Sequence, residues 1–150
     1  MISNIITDLF NVLIFDKSSI PPEEKNDFIE LSGNLFLNKK LLDFYLQLKS
    51  QKQIQLIIFT SATITKDDEL FKDYFAEFSN VFSTVSFGHS KNEPESFLLL
   101  YKKFGINLDN SFFIDDQENH ITAARKAGLP AGQFISNQQI INKLKNLCQL

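Results

Sequence analysis

Apolar residues along this chain follow two periods, and the periods alternate. Ile5 and Ile6 lead into Asp8 and predict a short buried strand. Residues 41–48 carry apolar side chains on one helical face, and the polar run 49–53 stops it. Residues 55–59 predict a second buried strand. Residues 65–78 predict a helix with Leu70, Phe71, Tyr74, Phe75 and Phe78 on one side, opened by Thr65 and Asp68 at capping-box spacing. Residues 81–87 predict a third strand. Pro94 then opens a helix with Phe97, Leu98, Tyr101 and Phe104 inward, and Gly105 ends it. Residues 112–114 predict a fourth strand, 119–127 a helix stopped by Gly128, and 133–135 a fifth strand. Ile140, Ile141, Leu144 and Leu147 form the apolar stripe of a last helix.

Strands alternating with helices predict an α/β fold of Rossmann-like type. It has a parallel sheet of about five strands with helices on both faces. The segment 17–37 fits neither period. With Pro21-Pro22, Glu23, Glu24 and Gly33, it reads as a short insertion with a helical turn or two around residues 24–31. In open parallel sheets, ligands bind beyond the carboxyl ends of the strands. Polar residues stand at those places: Asp8 after the first strand, Thr60 and Ser61 after the second, Ser90 and Lys91 after the third, Asp115 and Asp116 after the fourth.

Composition narrows the class. The 150 residues suit one domain, and 43% hydrophobic with 22% charged residues can bury an ordinary core. Sixteen Phe and no Trp predict a phenylalanine-packed interior. A net charge of −3 and a pI near 5.3 give no attraction to nucleic acid or an anionic membrane. The single cysteine, Cys148, cannot form an internal disulfide and is expected on a helix face near a frayed end. That cysteine, an N-terminus unlike a signal peptide and the lack of a 20-residue apolar run predict a cytoplasmic protein. Oligomeric state leaves no trace in the pattern.

Three carboxylates at one sheet edge repel unless something offsets them. A divalent cation such as Mg²⁺ does so, taking carboxylate oxygens together with substrate phosphate and water. One carboxylate is then free to attack phosphorus and form an aspartyl-phosphate. Lys91 would offset phosphate charge and keep the nucleophile ionised. The Thr60 hydroxyl, with Ser61 beside it, would donate to a phosphate oxygen. Backbone N–H groups of the turn through Phe10 and Asn11 would bind the remaining oxygens. Taken singly, each residue also has an ordinary structural use: Asp8 as a turn residue, Asp115 in a capping box with Glu118, Lys91 solvated. His89 and His120 read as surface or loop histidines.

The run Asp8-Leu9-Phe10-Asn11-Val12-Leu13 resembles the first motif of the haloacid-dehalogenase-like (HAD) hydrolases. Residues 56–60 with Ser61 resemble the second, and Lys91-Asn92-Glu93-Pro94-Glu95-Ser96-Phe97 the third, with Asn92 and Glu93 departing from it. Residues 112–116 followed by Asn119, Ala123, Ala124 and Gly128 resemble the fourth. The resemblance covers residues 3–16 and 38–136 and implies a Mg²⁺-dependent phosphatase or phosphotransferase acting on a small phosphorylated molecule. It implies Asp8 as nucleophile, Thr60 and Lys91 holding the phosphoryl group, and Asp8, the Phe10 carbonyl and Asp116 on the metal with Asp115 close by.

Two departures shape the alternatives. Phosphatases of this family usually carry a second Asp two residues after the nucleophile, as general acid, and Phe10 stands there instead. The usual cap domain is reduced to about residues 17–37. A second reading is therefore a catalytically weak or inactive family member that serves as a binding or regulatory protein. A third is a dehalogenase, which also has an aromatic residue in that place; the pair Asp115-Asp116 points to Mg²⁺ and away from it.

Overall fold

The computed structural model describes residues 1–150. Its first half holds β1 (Asn4–Thr7), β2 (Ile14–Asp16), β3 (Phe28–Ser32), β4 (Leu35–Asn38), α1 (Lys39–Lys52), β5 (Gln55–Thr60) and α2 (Glu69–Tyr74). Then come β6 (Asn80–Ser83), α3 (Thr84–Phe87), α4 (Pro94–Phe104), β7 (Ser111–Asp115), α5 (Glu118–Lys126), β8 (Ala131–Gln133) and α6 (Asn137–Leu147). Five strands pair in parallel in the order β6-β5-β1-β7-β8. Both neighbours of β1 are in register with it: Ile5 faces Leu56 on one side and Phe112 on the other.

The near-continuous apolar strands follow from burial on both faces. Side chains alternate across the sheet. Ile5, Leu56, Ile58, Phe112 and Ile114 pack with α1 and α6 residues such as Tyr45, Leu48, Ile140 and Leu144. Ile6, Ile57, Phe59 and Phe113 pack on the other side with Phe97 and Leu100 of α4 and with Ile121 and Ala124 of α5. Phenylalanines pack on both sides, and here Phe59 and Phe113 each stand edge-on to Phe97 at 5.0–5.5 Å between centroids.

The chain runs outward from β1 to β5 and β6, then returns to the other side of β1 for β7 and β8. The strand order therefore reverses at β1, and the crevice between the carboxyl ends of β1 and β7 is where such sheets bind ligands. Asp8 follows β1, while Asp115 closes β7 and Asp116 follows it.

Several elements differ from their sequence reading. The segment 17–37 winds as two short 3-10 helices, Lys17–Ser19 and Pro22–Asp27, but it also holds strands that its pattern does not predict: β3 and β4 join β2 in an antiparallel three-stranded sheet. Its alternation is weak because Phe28 and Leu37 are the buried members among mostly exposed neighbours. The expected third strand stops at Ser83, whose hydroxyl accepts from Val85 N–H and starts α3, which Gly88 ends at φ 71°. The expected helix over 65–78 shrinks to Glu69–Tyr74. Thr65 and Asp68 instead cap a turn, Asp68 Oδ2 accepting from Thr65 N–H at 2.6 Å. In α4 the inward residues are Phe97 and Leu100, whereas Tyr101 is exposed. The fifth strand lies two residues earlier than expected, at Ala131–Gln133. Its small residues hide the period, and a Cβ on Gly132 would meet the Phe112 ring at 2.7 Å. Cys148 is buried against the α1–α6 side of the core, not frayed. No helix is long and apolar enough to cross a membrane.

The small sheet is tied down. Glu24 accepts the N–H groups of Asn137 (2.8 Å) and Gln138 (3.0 Å) at the start of α6. The buried amides of Asn38 and Asn137 bond reciprocally at 2.7 and 2.8 Å, and Asn137 also donates to Asp27 at 3.0 Å.

Candidate active site

Asp8 leaves β1 into a turn that the chain closes itself. Leu13 and Ile14 N–H groups return to the Leu9 carbonyl at 2.8 and 2.9 Å, and Asn11 N–H bonds the Ile14 carbonyl at 2.7 Å. Asn11 sits at φ 65°, a left-handed conformation that asparagine tolerates better than most residues. None of these bonds uses the Phe10 carbonyl. That oxygen accepts no hydrogen bond from the rest of the chain. The Asp8 carboxylate is nearly buried, and only one of its oxygens is engaged. Oδ1 accepts from Leu9 N–H at 2.8 Å and from Lys91 Nζ at 2.7 Å. Oδ2 remains free.

Lys91 is the group that ties the crevice together. It is 1% exposed, and its ammonium bridges Asp8 and Asp115 Oδ2, the latter at 3.1 Å. Beneath it lie the rings of Phe59 and Phe113, with centroids 5.6 and 5.7 Å from Nζ. A buried lysine is costly unless paired; here two carboxylates and two aromatic faces surround it. Removing it strands two carboxylates at the edge of a dry core. Lys91→Met is expected to destabilise the metal-free protein by about 3 kcal/mol, measured as a fall in urea midpoint at unchanged slope.

The two acidic residues after β7 divide their work. Asp115 is fully buried and both its oxygens are taken. Oδ1 accepts from Gln117 N–H at 3.0 Å, and Oδ2 from Lys91 and from His120 Nδ1 at 3.0 Å. Burial alone would raise its pKa; the His120 hydrogen bond, the Lys91 charge and the Gln117 N–H outweigh it and bring it to about 2. Asp116 is half buried, and neither Lys91 nor His120 holds its carboxylate. Burial, the hydrogen bond to and charge of Asp115, and the charge of Asp8 push it up to about 7. Asp8 is raised too, by burial and Asp115 against the opposing pull of Lys91. Oxygen atoms of Asp8, Asp115 and Asp116 all lie within 4.8 Å of one another.

The remaining expected residues sit around this trio. Thr60 is buried at the end of β5, its oxygen accepting from Ala62 N–H at 3.0 Å, which leaves its own proton free to donate. Ser61 is exposed beside it. Asn11 and Asp116 line one open cleft of about 330 Å³ together with Phe15 and Phe134. Phe10, 41% exposed, lines another. His89 pairs with Glu93 at 3.3 Å, away from the carboxylates. His120 is a correction: it is buried and holds Asp115. Its spacing with Ile121, Ala123 and Ala124 was the available signal, because it puts the ring on the buried face of α5. Asn119 reaches Asn92 instead, joining α5 to the Lys91 loop.

A family model described as haloacid dehalogenase-like hydrolase matches residues 5–128. No curated protein matches the sequence significantly. Among solved structures, a HAD-superfamily hydrolase from Ehrlichia chaffeensis superposes with a TM-score of 0.68 at 20% identity, over 97% of each chain. A HAD-superfamily hydrolase of subfamily IA from Geobacter sulfurreducens gives 0.67 at 16%, over 95% of this chain and 100% of that one. A HAD family enzyme from Bacteroides thetaiotaomicron, in complex with magnesium and inorganic phosphate, gives 0.58 at 17%, over 91% and 96%. At such identities the likeness is one of fold.

Proposed function

This chain belongs to the haloacid dehalogenase-like hydrolase family, and from that premise we propose that it is a Mg²⁺-dependent phosphatase or phosphotransferase that uses Asp8 as nucleophile on a small organic phosphate. The observation that carries this reading is the asymmetry of Asp8. One oxygen is pinned by Lys91 and Leu9 N–H while the other is free at the crevice. A pinned carboxylate presents its free oxygen in a fixed direction, which is what attack on phosphorus needs.

The donors suit a hard cation. Asp115 is already bound to Lys91, His120 and Gln117 N–H, so the Asp8 carboxylate, the Phe10 carbonyl and Asp116 are the groups that would hold Mg²⁺, with Asp115 close by. Held there, the ion would neutralise the crowded carboxylates and supply Lewis-acid polarisation of a phosphoryl oxygen. The Bacteroides protein of the same fold holds magnesium and inorganic phosphate, which supports this assignment.

In the reaction, Asp8 Oδ2 bonds to phosphorus as the bond to the leaving oxygen breaks, and the electron pair stays on that oxygen. Lys91 and the Thr60 hydroxyl donate to phosphoryl oxygens, with Ser61 and the N–H groups of the Phe10–Asn11 turn at hand for the rest. Water then attacks the aspartyl-phosphate, the phosphorus–Asp8 bond breaks, and phosphate departs. The small sheet of β2, β3 and β4, with Glu24 and Asn38 bonded to the start of α6, would stand in the place of a cap. The direct test is hydrolysis of a generic aryl phosphate with and without Mg²⁺; turnover that ignores the metal would overturn the reading. A second reading has one observation behind it: Phe10 has no proton to give. A long-lived aspartyl-phosphate would then make the protein a phosphorylatable switch.

Asp116 gives the metal a pH signature. Its folded pKa, raised to about 7, means that its contribution to stability is present below the ordinary carboxylate value and is lost as pH rises through 7. The metal-free protein is thus expected to lose stability between about pH 4 and 7 and to level off above that. Mg²⁺ must displace that proton, so its apparent affinity falls about tenfold per unit below pH 7. Saturating Mg²⁺ should raise Tm by about 5–10 °C at pH 8, and by less at pH 6. Asp116→Asn should remove both the rise and its pH dependence in a thermal melt; a rise that survives would move the metal elsewhere.

A further inference from the structure

We propose that the groove between Phe10 and the loop after β5 is the leaving-group subsite and that it selects phosphate esters with an uncharged aromatic leaving group; this rests on Asp8 as the nucleophile. The groove, about 380 Å³, is walled by Phe10, Ala62, Ile64 and Leu70, with Thr63, Asp68 and Glu69 at its rim. Two of its lining residues adjoin the proposed site: Phe10 lies two residues beyond Asp8, and Ala62 donates its N–H to the Thr60 hydroxyl oxygen. β1 and β5 are neighbours, so the loops following them form its two sides.

Two independent features select the same chemistry. First, the walls are apolar, and Phe10 keeps 41% of its surface exposed where a flat ring can lie against it. No Lys or Arg lines the groove. The nearby Lys66 is turned away, donating to the Ser79 carbonyl at 2.7 Å. Asp68 is held by Thr65 N–H, and Glu69 has no cationic partner. A second phosphate or a carboxylate on the substrate would meet only negative charge, and a polyol would find few partners. Secondly, nothing at position 10 can protonate a departing oxygen. Phenolic oxygens leave as anions far more readily than alkoxides, so the esters that fit the groove are also those that can react without an acid.

The test measures binding without turnover. Naphthylmethylphosphonate and methylphosphonate are titrated calorimetrically into the Mg²⁺-loaded protein, and into Ala62→Phe and Ile64→Asn variants with cooperative melts. Ala62→Phe fills the groove without emptying the core beneath, and so guards against a loss caused only by unfolding. The aryl phosphonate should bind the native protein at least about tenfold more tightly, and the preference should fall toward unity in both variants. Equal binding of the two phosphonates to the native protein, or a preference unchanged in both variants, would overturn the aromatic subsite while leaving the phosphate site intact. If neither phosphonate binds, the phosphate reading of the Asp8 site fails and the subsite with it.

Discussion

Asp8→Asn is expected to lower hydrolysis of every phosphate ester by about 10³-fold or more, while the metal-free protein melts at a higher temperature than the native one. Both halves follow from the same environment. Asparagine keeps an oxygen to accept from Lys91 Nζ and Leu9 N–H, so the turn through Asn11 loses no hydrogen bond. It has no second oxygen to attack phosphorus. The pKa of Asp8 is raised, which means that burial and Asp115 disfavour its charge more than Lys91 favours it. A neutral residue of the same shape therefore relieves strain at neutral pH. Steady-state kinetics with an aryl phosphate and a thermal melt without Mg²⁺ check the two halves separately. Native-like turnover in the variant would place the nucleophile elsewhere; a lower Tm would mean that the Lys91 pair outweighs the burial cost.

Phe10→Asp is expected to raise turnover of an alkyl phosphate by about 10²-fold, within the 10²–10⁴ range of general acid catalysis, and to change acetyl phosphate much less. Without an acid, the leaving oxygen must carry its electron pair away as an anion, so the native rate should fall steeply as the leaving group becomes more basic. The intermediate should also be long-lived, because no carboxylate at position 10 activates water; acid quenching should trap it. The substitution is compatible with the turn. The hydrogen bonds around position 10 are made by Asn11, Leu13 and Ile14, and the Phe10 ring is substantially exposed, so little core is lost. The same change removes the apolar wall of the leaving-group groove, so aryl esters should gain less than alkyl ones. Fast native hydrolysis of an alkyl phosphate would show that another group supplies the proton. Asp16 and His89 are poor candidates: Asp16 is exposed at the end of β2 and His89 is engaged by Glu93.

Local pattern was enough for the main sheet. The runs through Ile5-Ile6, residues 55–59 and residues 112–114 are strands because they are buried on both faces, and such burial leaves an unbroken apolar signature. The placement of Asp8, Thr60 and the acidic pair at strand ends was equally legible, because carboxyl-end residues follow directly from strand ends, whereas Lys91, expected directly after the third strand, follows α3 instead. What failed were elements whose determinants lie elsewhere in the chain. The sheet of β2, β3 and β4 is held by Glu24 and Asn38 reaching α6, about a hundred residues away, and no local period encodes those bonds. Ser83 capped a helix where alternating residues promised more strand.

For the site, sequence alone determined which chemical groups are available and at which sheet edge they gather. Only the tertiary structure decided how they divide the work. Lys91 and Asp8 are 83 residues apart, and Lys91 and Asp115 are 24 apart, yet one ammonium spans both. His120 and Lys91 both bind Asp115 Oδ2 and leave Asp116 without either partner. The Phe59 and Phe113 rings, read in sequence only as core, turn out to be the surface on which that lysine rests. A string of residues specifies donors and acceptors one by one; their pKa values and pairings depend on distances and burial, and these exist only once the strands have been brought side by side.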